Sequence, residues 1–391
     1  MQSKLNRLIQ QLCPKGVEYR KLGEVCDISR GRVISKKDIR DNAGEYPVYS
    51  SQTNNDGVLG CINTYDYEGE YLTWTTDGAN AGSVFHRMGK FSITNVCGLL
   101  KVQTDNLLTR FIYYVLSIEA PKFVNDGMGN PKLMSNVMAQ IPIPIPPLPV
   151  QAEIVRILDA FTELTAELTA ELTARRKQYE FYRDQLLNFN DGGGWRTLGE
   201  IATIFRGGNF QKKDFVDDGV PCVHYGQIYT KYGVGANKTF SFIPQSVASN
   251  QKFAEPNDVI MAVTSENVED VCKCLVWEGA EKVAVSGHTA IIRTNQNGKY
   301  LAYFFQTENF FKQKKRLAHG TKVIEVTPDT LRSVKIPLPP LPVQNRIVEV
   351  LDHFDAICAD LNIGLPAEIN ARRKQYEYYR DRLLTFPSAG E

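Results

Sequence analysis

A four-residue unit, T-A-E-L, recurs near the middle of the chain and places Leu164, Leu168 and Leu172 in phase. Alanine, leucine and glutamate are strong helix formers, and neither glycine nor proline interrupts residues 150–190. Apolar residues around the run step mostly by three or four, as in a coiled-coil seam, and the repeated step of four resembles an inserted stutter. We therefore predict one helix over about residues 150–187, roughly 57 Å long at 1.5 Å per residue, that requires a partner helix.

A large internal repeat surrounds this helix. The proline box P-P-L-P-V-Q at residues 146–151 returns at residues 339–344, and the helical box A-R-R-K-Q-Y-E at residues 174–180 returns at residues 371–377. The second copy replaces the T-A-E-L run with a segment that contains Pro366. Because proline is tolerated in the first turn of a helix but not in its interior, we predict a break there and a restart with Pro366 in the first turn.

A second pair of boxes extends the repeat beyond the helices. The triplet L-G-E at residues 22–24 returns at residues 198–200, and an arginine–glycine pair follows each copy. A short apolar helical stripe that includes Leu5 and Leu8 precedes the first copy, with no long helix before it. The C-terminal helix has no globular region after it. Joining the two chain ends would complete the pattern, so we predict a pseudo-two-fold, circularly permuted repeat.

The predicted fold is α+β, with two mixed α/β domains separated by two long antiparallel, coiled-coil-like helices. Runs of β-branched and aromatic residues predict strands in both variable bodies, and each body has a late helix, at residues 109–118 and 300–316. The predicted division of the chain is an N-terminal helical segment over residues 1–18, a first domain over 19–145, a central spacer helix over 146–190, a second domain over 195–337 and a C-terminal spacer helix over 338–391.

Composition excludes several classes of protein. The chain has 391 residues, 43% hydrophobic and 23% charged, with a net charge of +1, which argues against a uniformly basic nucleic-acid coat. No apolar run approaches the ~20 residues of a membrane span, and the N-terminus lacks a signal-peptide core. The 8 cysteines show no zinc-binding spacing, which indicates reduced thiols. We expect a cytoplasmic, nucleoid-associated protein with no membrane partner.

The chain shows no sequence signature of catalysis. It has no G-x-x-x-x-G-K-[ST] nucleotide loop, and its 5 histidines form neither H-E-x-x-H nor H-x-H pairs. We therefore expect no catalytic residue and no metal site in this chain.

The repeated boxes resemble those of one known family, the DNA-specificity subunits of type I restriction–modification enzymes. The resemblance covers the whole chain and depends on the L-G-E boxes, on the I-P-x-P-P-L-P-V-Q boxes at residues 143–151 and 336–344, and on the two R-R-K-Q-Y-E helices. The T-A-E-L run is similar to the spacer of the family's IC-type branch. The turn N-P-P-[YF] or D-P-P-[YF], expected of amino-methyltransferases, is absent.

The resemblance implies a non-catalytic subunit with two target-recognition domains, each reading one half of an interrupted, asymmetric site on double-stranded DNA. It implies two methyltransferase subunits as partners, which carry S-adenosylmethionine and methylate adenine, and motor-nuclease restriction subunits that use ATP and magnesium. This chain itself would hold no cofactor. Tyr179, Tyr182, Tyr376 and Tyr379 are the candidate subunit contacts, because they lie on the apolar seam of the two helices.

Candidate DNA contacts follow from the chemistry of readout. Base edges are read by Arg, Lys, Asn, Gln, Ser or Thr on exposed loops, and phosphates are held by Lys, Arg and backbone amides. Any single candidate is more simply an ordinary turn, and the basic run Lys312–Arg316 is either a solvated face or a phosphate-facing strip. The candidates in the first body are Arg30, Arg32, Lys36, Lys37, Ser51, Gln52, Asn54, Thr75, Thr76, Asn80, Asn130 and Lys132. Those in the second are Arg206, Asn209, Lys212, Lys213, His224, Tyr225, Gln227, Thr264, Ser265, Asn267, His319, Thr321 and Lys322.

The T-A-E-L leucines Leu164, Leu168 and Leu172 define a molecular ruler in this interpretation. One unit lengthens a helix by about 6 Å and rotates its far end by about 40° beyond a full turn. One base pair advances DNA by about 3.4 Å and 34–36°. We predict that each unit changes the gap between the half-sites by one base pair. Two other interpretations stay open, a protein-interaction scaffold with two peptide-binding heads and a stand-alone enzyme.

Overall fold

A computed structural model describes residues 2–188, 194–358 and 364–389 of the chain. The chain divides into two compact units: Met1–Glu167 together with Asn370–Glu391, and Leu168–Ile369. The first boundary falls inside the T-A-E-L run and the second inside the last helix. Helices and sheets occur in both units, so the predicted α+β class is confirmed.

The helices include one long central helix and many short ones. In chain order they are α1 Gln2–Leu12, α2 Leu22–Val25, α3 Lys36–Asp41, α4 Thr109–Glu119, α5 Ser135–Met138, α6 Leu148–Leu186, α7 Leu198–Ile201, α8 Tyr225–Thr230, α9 Gln245–Ala248, α10 Gly298–Phe304, α11 Glu308–Leu317, α12 Pro328–Leu331, α13 Leu341–Cys358 and α14 Gly364–Leu383. Short 3-10 turns cover Asn54–Gly57, Ala120–Phe123, Gly127–Gly129 and Lys212–Asp214.

The strands are short in the second unit and longer in the first. They are β1 Glu18–Lys21, β2 Cys26–Arg30, β3 Ala43–Tyr49, β4 Val58–Ile62, β5 Tyr67–Thr75, β6 Val84–Ile93, β7 Cys97–Val102, β8 Pro142–Ile145, β9 Trp195–Thr197, β10 Ala202–Arg206, β11 Val220–Val223, β12 Gly235–Ala236, β13 Ser241–Ile243, β14 Lys252–Ala254, β15 Val259–Ala262, β16 Thr264–Ser265, β17 Cys274–Trp277, β18 Val283–Val285, β19 Thr289–Thr294, β20 Ile324–Glu325 and β21 Lys335–Pro337.

The long helix predicted from the T-A-E-L run is present as α6, which has 39 residues and begins within the proline box. The restart at Pro366 is also confirmed, because α14 begins at Gly364 and has Pro366 in its first turn. Residues 359–363, where the preceding break was expected, lie outside the described residues. The part of the chain that the structure describes contains no helix long and apolar enough to cross a membrane.

The first unit is built on a six-stranded sheet in the order β2-β7-β5-β6-β3-β4, antiparallel except for the β3–β6 pair. A separate two-stranded ladder pairs β1 with β8. Helix α4 packs on the sheet, with Phe111, Ile112 and Leu116 buried. Its predicted bounds, residues 109–118, are confirmed within one residue.

The second unit contains a five-stranded sheet, β10-β19-β15-β17-β12, and a four-stranded sheet, β13-β11-β18-β14. Two-stranded ladders pair β16 with β20 and β21 with β9. The single helix predicted over residues 300–316 is wrong, because it is two helices, α10 and α11. Thr307 is the reason: its hydroxyl accepts a hydrogen bond from the Phe310 amide at 3.2 Å and so caps a new helix.

The two L-G-E boxes form the same local structure in their own units. Each folds as a four-residue helix whose leucine, Leu22 or Leu198, is fully buried. The amide of Gly23 donates to the Ala139 carbonyl at 3.0 Å, and the amide of Gly199 donates to the Arg332 carbonyl at 3.0 Å. The boxes therefore serve as packing elements.

The glutamine that ends each proline box joins its helix to the adjoining globular body. Gln151 is fully buried, accepts a hydrogen bond from the Leu108 amide at 2.9 Å, and donates to the carbonyl oxygens of Asn106 and Pro146. Gln344 has the equivalent place in the second unit, where it accepts from the Asn297 amide at 3.1 Å. The proline boxes are therefore rigid connectors that lead directly into α6 and α13.

An aspartate about three turns into each long helix makes a second connection. Asp159 on α6 accepts from Arg110 at 2.9 Å and from the Tyr114 hydroxyl at 2.5 Å. Asp352 on α13 accepts from Lys299 at 2.9 Å and from the Tyr303 hydroxyl at 2.6 Å. A cation and a tyrosine from the late helix of each body thus fix the direction of the long helix in that unit.

The two chain ends meet in the first unit. The Val17 amide donates to the Pro387 carbonyl at 2.9 Å, and the Ala389 amide donates back to the Val17 carbonyl at 2.9 Å. The Tyr19 hydroxyl donates to the Phe386 carbonyl at 2.9 Å. This contact agrees with the predicted circularly permuted repeat, in which the N-terminal segment completes the C-terminal helix.

Candidate nucleic-acid interface

Arg30 ends β2, and its guanidinium faces the loop that follows β5. It donates a hydrogen bond to the Thr76 hydroxyl at 2.6 Å and forms an ion pair with Asp77 at 3.3 Å. Lys132, in the loop before α5, approaches the same carboxylate at 3.8 Å. Asp77 therefore holds two cationic side chains together beside the end of β2.

Arg206 occupies the matching place at the end of β10, where it forms an ion pair with Glu325. Glu325 belongs to a hairpin in which its backbone exchanges two hydrogen bonds with that of His319, at 2.8 and 3.0 Å. Thr321 and Lys322 are exposed at the tip of this hairpin. The structure therefore groups four of the candidates predicted for the second body: Arg206, His319, Thr321 and Lys322.

The glycine after each of these arginines is required by close packing of the backbone. A Cβ atom at Gly31 would lie 2.1 Å from the Ile93 carbonyl oxygen, and one at Gly207 would lie 2.1 Å from the Ser286 carbonyl oxygen. Both contacts are far shorter than real Cβ contacts. The chain can thus pass directly under a neighbouring strand end while the arginine side chain stays at the surface.

The same three strands carry these features in each unit. In the first unit β7 lies between β2 and β5, and in the second β19 lies between β10 and β15. The arginine ends the first strand of each trio, and a short hydroxyl pair ends or follows the third, Thr75–Thr76 in one unit and Thr264–Ser265 in the other. The candidates after the L-G-E box and at mid-body are therefore brought together in both units.

The hydroxyl pairs themselves are mostly buried, which corrects the expectation that they lie on exposed loops. Thr75 and Thr76 are fully buried, and their hydroxyls donate to the Asn80 carbonyl and to the Asp77 carboxylate. Thr264 is also buried, and only Ser265 of the four is half-exposed. These threonines shape the loops that carry the exposed groups.

Several candidates of the first body are exposed as expected. Arg32 forms an exposed ion pair with Asp66 at 3.0 Å. The remaining exposed candidates are Lys36, Lys37, Asn54, Asn80 and Asn130, while Ser51 and Gln52 are half-buried. The lysines lie in the first turn of α3.

In the second body, Asn209 and the lysine pair remain at the surface. Asn209 exchanges hydrogen bonds with Gln251: its amide donates at 2.7 Å and its side-chain oxygen accepts at 3.0 Å. Lys212 and Lys213 are exposed on a 3-10 turn. Asn267 is half-buried and is used locally, because its side-chain oxygen accepts from the Asp270 amide at 2.7 Å.

The segment from His224 to Gln227 is a helix start, which corrects its interpretation as an exposed reading loop. His224 is buried, and its Nδ1 atom accepts from the Gly226 amide at 3.2 Å. Burial, with a smaller contribution from Lys212, lowers the pKa of His224 to about 4, so this ring is neutral near pH 7. Gln227 is buried and donates to the Ser241 hydroxyl at 2.6 Å, which leaves Tyr225 as the half-exposed member.

The leucines of the T-A-E-L run are half-buried along α6. Three of the four tyrosines predicted as subunit contacts are less exposed to solvent than expected. Tyr179 lies in the core of the second unit, and Tyr376 and Tyr379 are half-buried against the core of the first, where Tyr379 stacks on Phe161 at 5.6 Å. Tyr182 remains exposed and stacks on Phe354 at 6.2 Å.

Sequence reasoning missed the aromatic residues that point outward from the same helices. Phe181 is 58% exposed and Tyr378 is 59% exposed, and each packs edge-on against the tyrosine that follows it. The two are equivalent in the repeat, one residue after the R-R-K-Q-Y-E boxes. Their equivalent positions in the repeat could have identified these two residues from the sequence.

The basic run on α11 is only partly a surface strip. Lys314 is buried, and its ammonium group donates to the carbonyl oxygens of Glu269 and Val271 at 2.9 and 2.8 Å. Lys312 is exposed on the other side of the helix, with Lys315 and Arg316. Lys314 therefore supports the loop before β17 and is not part of any phosphate-facing strip.

Residues 2–188, 194–358 and 364–389 contain no group of three or more His, Cys, Asp or Glu side chains that could hold a metal ion. The buried cysteines are held as thiols by their surroundings: burial raises the pKa of Cys26, Cys97 and Cys222 to about 12. The polar groups that the structure gathers can accept and donate hydrogen bonds and carry positive charge.

The family model for the type I restriction modification DNA specificity domain matches this chain twice, over residues 14–175 and 193–371. A putative type I specificity subunit from Mycoplasma pneumoniae is 36% identical over 369 residues, which cover 93% of this chain and 96% of the relative. Another such subunit from the same organism is 34% identical over 343 residues, covering 84% of this chain and 97% of the relative.

Two solved structures share the fold. One is the S subunit of a type I restriction–modification system from M. genitalium, with a TM-score of 0.54 at 14% identity, covering 94% of this chain and 95% of the other. The second comes from work on complex assembly and conformational transition of the type I R-M system, with a TM-score of 0.60 at 16% identity, covering 95% and 98%.

Proposed function

We propose that this chain, which belongs to the type I restriction–modification DNA-specificity family, reads a bipartite, asymmetric site on double-stranded DNA. It does so as the non-catalytic specificity subunit. Each target-recognition domain, over residues 19–145 and 195–337, reads one half. The observation that carries this proposal is the repeated grouping in each unit of an R-G arginine, an acidic partner and a polar loop around equivalent strands.

The chemistry of that grouping suits a nucleic-acid surface. Arg30 and Arg206 present guanidinium groups whose fork matches phosphate oxygens or the O6 and N7 atoms of guanine. Their partners Asp77 and Glu325 hold the two arginine side chains in one orientation before DNA binds. This reduces the side-chain conformational entropy that is lost on binding. Lys132, which shares Asp77 with Arg30, and Lys322, at the exposed tip of the hairpin that contains Glu325, add positive charge for phosphate contacts.

The long helices recruit the other subunits in this proposal. Phe181 and Tyr378 occupy equivalent places and are exposed, as expected of two matching docking points for two methyltransferase subunits. Restriction subunits then join the complex. S-adenosylmethionine, ATP and magnesium belong to those partners, and this chain holds no cofactor. The DNA partner also places the protein at the nucleoid, in the cytoplasm.

Sequencing of adenine methylation in single DNA molecules tests the proposal. Cells would express the full chain with a type I methyltransferase subunit, beside cells that express the methyltransferase alone. A bipartite motif with a fixed gap is the expected result. A single continuous motif would mean that only one domain reads DNA. No methylation with partner binding intact would refute the proposal and favour a protein-interaction scaffold.

The substitutions Arg30→Gln and Arg206→Gln identify which domain reads which half of the motif. We expect each substitution to weaken one half of the motif and to leave the other half unchanged, because the two arginines belong to different units. Arg20→Gln is the matched control, since Arg20 forms an exposed ion pair with Glu18 and is not one of the candidate DNA contacts.

A further inference from the structure

The loop between β3 and β4, residues 50–57, has an unusual backbone. Its ends are closed by a hydrogen bond from the Ser50 amide to the Gly57 carbonyl at 3.0 Å. Asn55 and Asp56 both adopt the left-handed conformation, with φ of 50° and 51°, and Gly57 follows with φ of 79°. Successive left-handed residues other than glycine are rare, and they persist only where the surroundings hold them.

Arg87 on β6 is what holds this loop. Its side chain is 2% exposed, yet it carries a charge. Its guanidinium donates to the Asp56 carboxylate at 2.5 Å and to the Asp56 carbonyl oxygen at 2.8 Å, so it binds both the side chain and the backbone of one left-handed residue. A third hydrogen bond, at 3.2 Å, goes to the Thr73 hydroxyl.

Two aromatic rings also contact the guanidinium. Its central carbon lies 3.7 Å from the centre of the Tyr49 ring and 4.6 Å from that of Phe85. Cation–π contacts of this kind involve arginine more often than lysine, and they are stronger at desolvated sites. With these contacts the Arg87 side chain is only 2% exposed, so Arg87 is not itself a surface contact.

The loop that Arg87 supports is exposed where it projects furthest. Asp56 is 71% exposed although its carboxylate is neutralised by Arg87. Thr53, Asn54 and Asn55 are exposed and carry hydroxyl and carboxamide groups. Carboxamides pair with adenine at its N6 and N7 atoms in the major groove. The acidic side chain does not repel phosphate as a bare charge would, because its ion pair cancels that charge.

We propose that the loop of residues 50–57 is a base-reading element of the first domain and that Arg87 is its positioning residue. Arg87 fixes the left-handed turn, and the turn presents Asn54 and Asn55 to base edges in one conformation. This inference rests on the proposed function. It makes the specificity of one half-site depend on a buried side chain that never touches DNA.

The test compares methylation motifs for the full chain with its methyltransferase subunit. Asn54→Ala removes a reading group, and Arg87→Lys keeps the charge but cannot bind the Asp56 side chain and backbone together. Arg20→Lys is the matched control at an exposed ion pair. We expect the first two variants to lose about tenfold in discrimination at shared positions of one half-site, as loss of a base contact does, and the control to lose none.

Two results would overturn the inference. One is a wild-type motif in both Asn54→Ala and Arg87→Lys. The other is an equal loss over both half-sites, which a merely destabilised chain would give, and a thermal melt of each variant checks this directly. Asp56→Asn supplies a variant at an exposed residue, and we expect it to relax the same half-site. If the wild-type chain produces no bipartite motif, the proposed function fails instead.

Discussion

Deletion of one T-A-E-L unit, Thr169–Leu172, tests how the chain measures distance. Helix α6 runs without interruption through the run, so the deleted residues are in regular α-helical geometry. Removing four residues shortens the helix by about 6 Å and turns its far end back by about 40° beyond a full turn. The boundary between the two compact units, at Glu167 and Leu168, lies beside the deletion. Neither core loses a buried residue, because Thr169, Ala170 and Glu171 are exposed and Leu172 is only half-buried.

One base pair of DNA corresponds to about 3.4 Å and 34–36°. The rotation of about 40° therefore matches one base pair closely. The translation of about 6 Å exceeds it, and an inclined helix or deformed DNA would absorb the difference. Rotation must be matched more closely, since each domain has to face its groove. We expect the gap to shorten by one base pair, with both half-sites unchanged.

The assay is single-molecule sequencing of adenine methylation, with the deletion variant beside the parent. Leu172→Ala is the length-preserving control, and we expect it to keep the parental gap. Insertion of one more unit should lengthen the gap by one base pair. A parental gap in the deletion variant, with methylation retained, would refute the ruler, because the spacer would then not transmit its length to the DNA.

Three further predictions concern stability and assembly. Gln151→Ala removes the side-chain partner of the part-buried Leu108 amide and of the Asn106 and Pro146 carbonyl oxygens, so we expect a loss of about 2 kcal/mol and faster hydrogen exchange at the Leu108 amide than in the parent. His224 has a folded-state pKa of about 4, below its unfolded value of about 6.5. Its contribution to the free energy of unfolding is therefore fully present above pH 6.5 and is lost as the pH falls to 4. Between pH 7.5 and pH 5 the loss is about 2 kcal/mol, and urea unfolding at these two pH values should show a smaller pH effect in His224→Asn. Phe181→Ala and Tyr378→Ala should each weaken methyltransferase binding about tenfold or more, measured by calorimetry, with unchanged melting temperatures.

Local patterns were sufficient to predict the scaffold. The bounds of α6 followed from helix propensity and the absence of glycine and proline, because helix formation depends on neighbours within a few residues. The restart of α14 at Pro366 followed from proline's missing amide hydrogen. The duplicated boxes predicted two alike scaffolds, and each L-G-E and proline box is a packing element or connector in its own unit.

Side-chain exposure in the two bodies was not predictable from the same patterns. Thr76 and His224 were polar residues beside turns, yet both are buried and hydrogen-bonded. Whether a polar residue faces solvent depends on which strands cover it, and those strands come from distant parts of the chain. Similarly, the outward face of the long helices carries Phe181 and Tyr378, because packing against each unit's core uses the neighbouring tyrosines.

The sequence by itself determined the repeat, the long helix and the family of the chain. Each of these depends on residues that are close together in the chain or are duplicated in the same order. Only the tertiary structure revealed Arg87 as the support of the loop of residues 50–57. Its partner Asp56 is 31 residues away along the chain, and nothing near either residue marks the pair. This ion pair forms when folding brings the loop of residues 50–57 beside β6, so its place is decided by the sheet and not by local sequence.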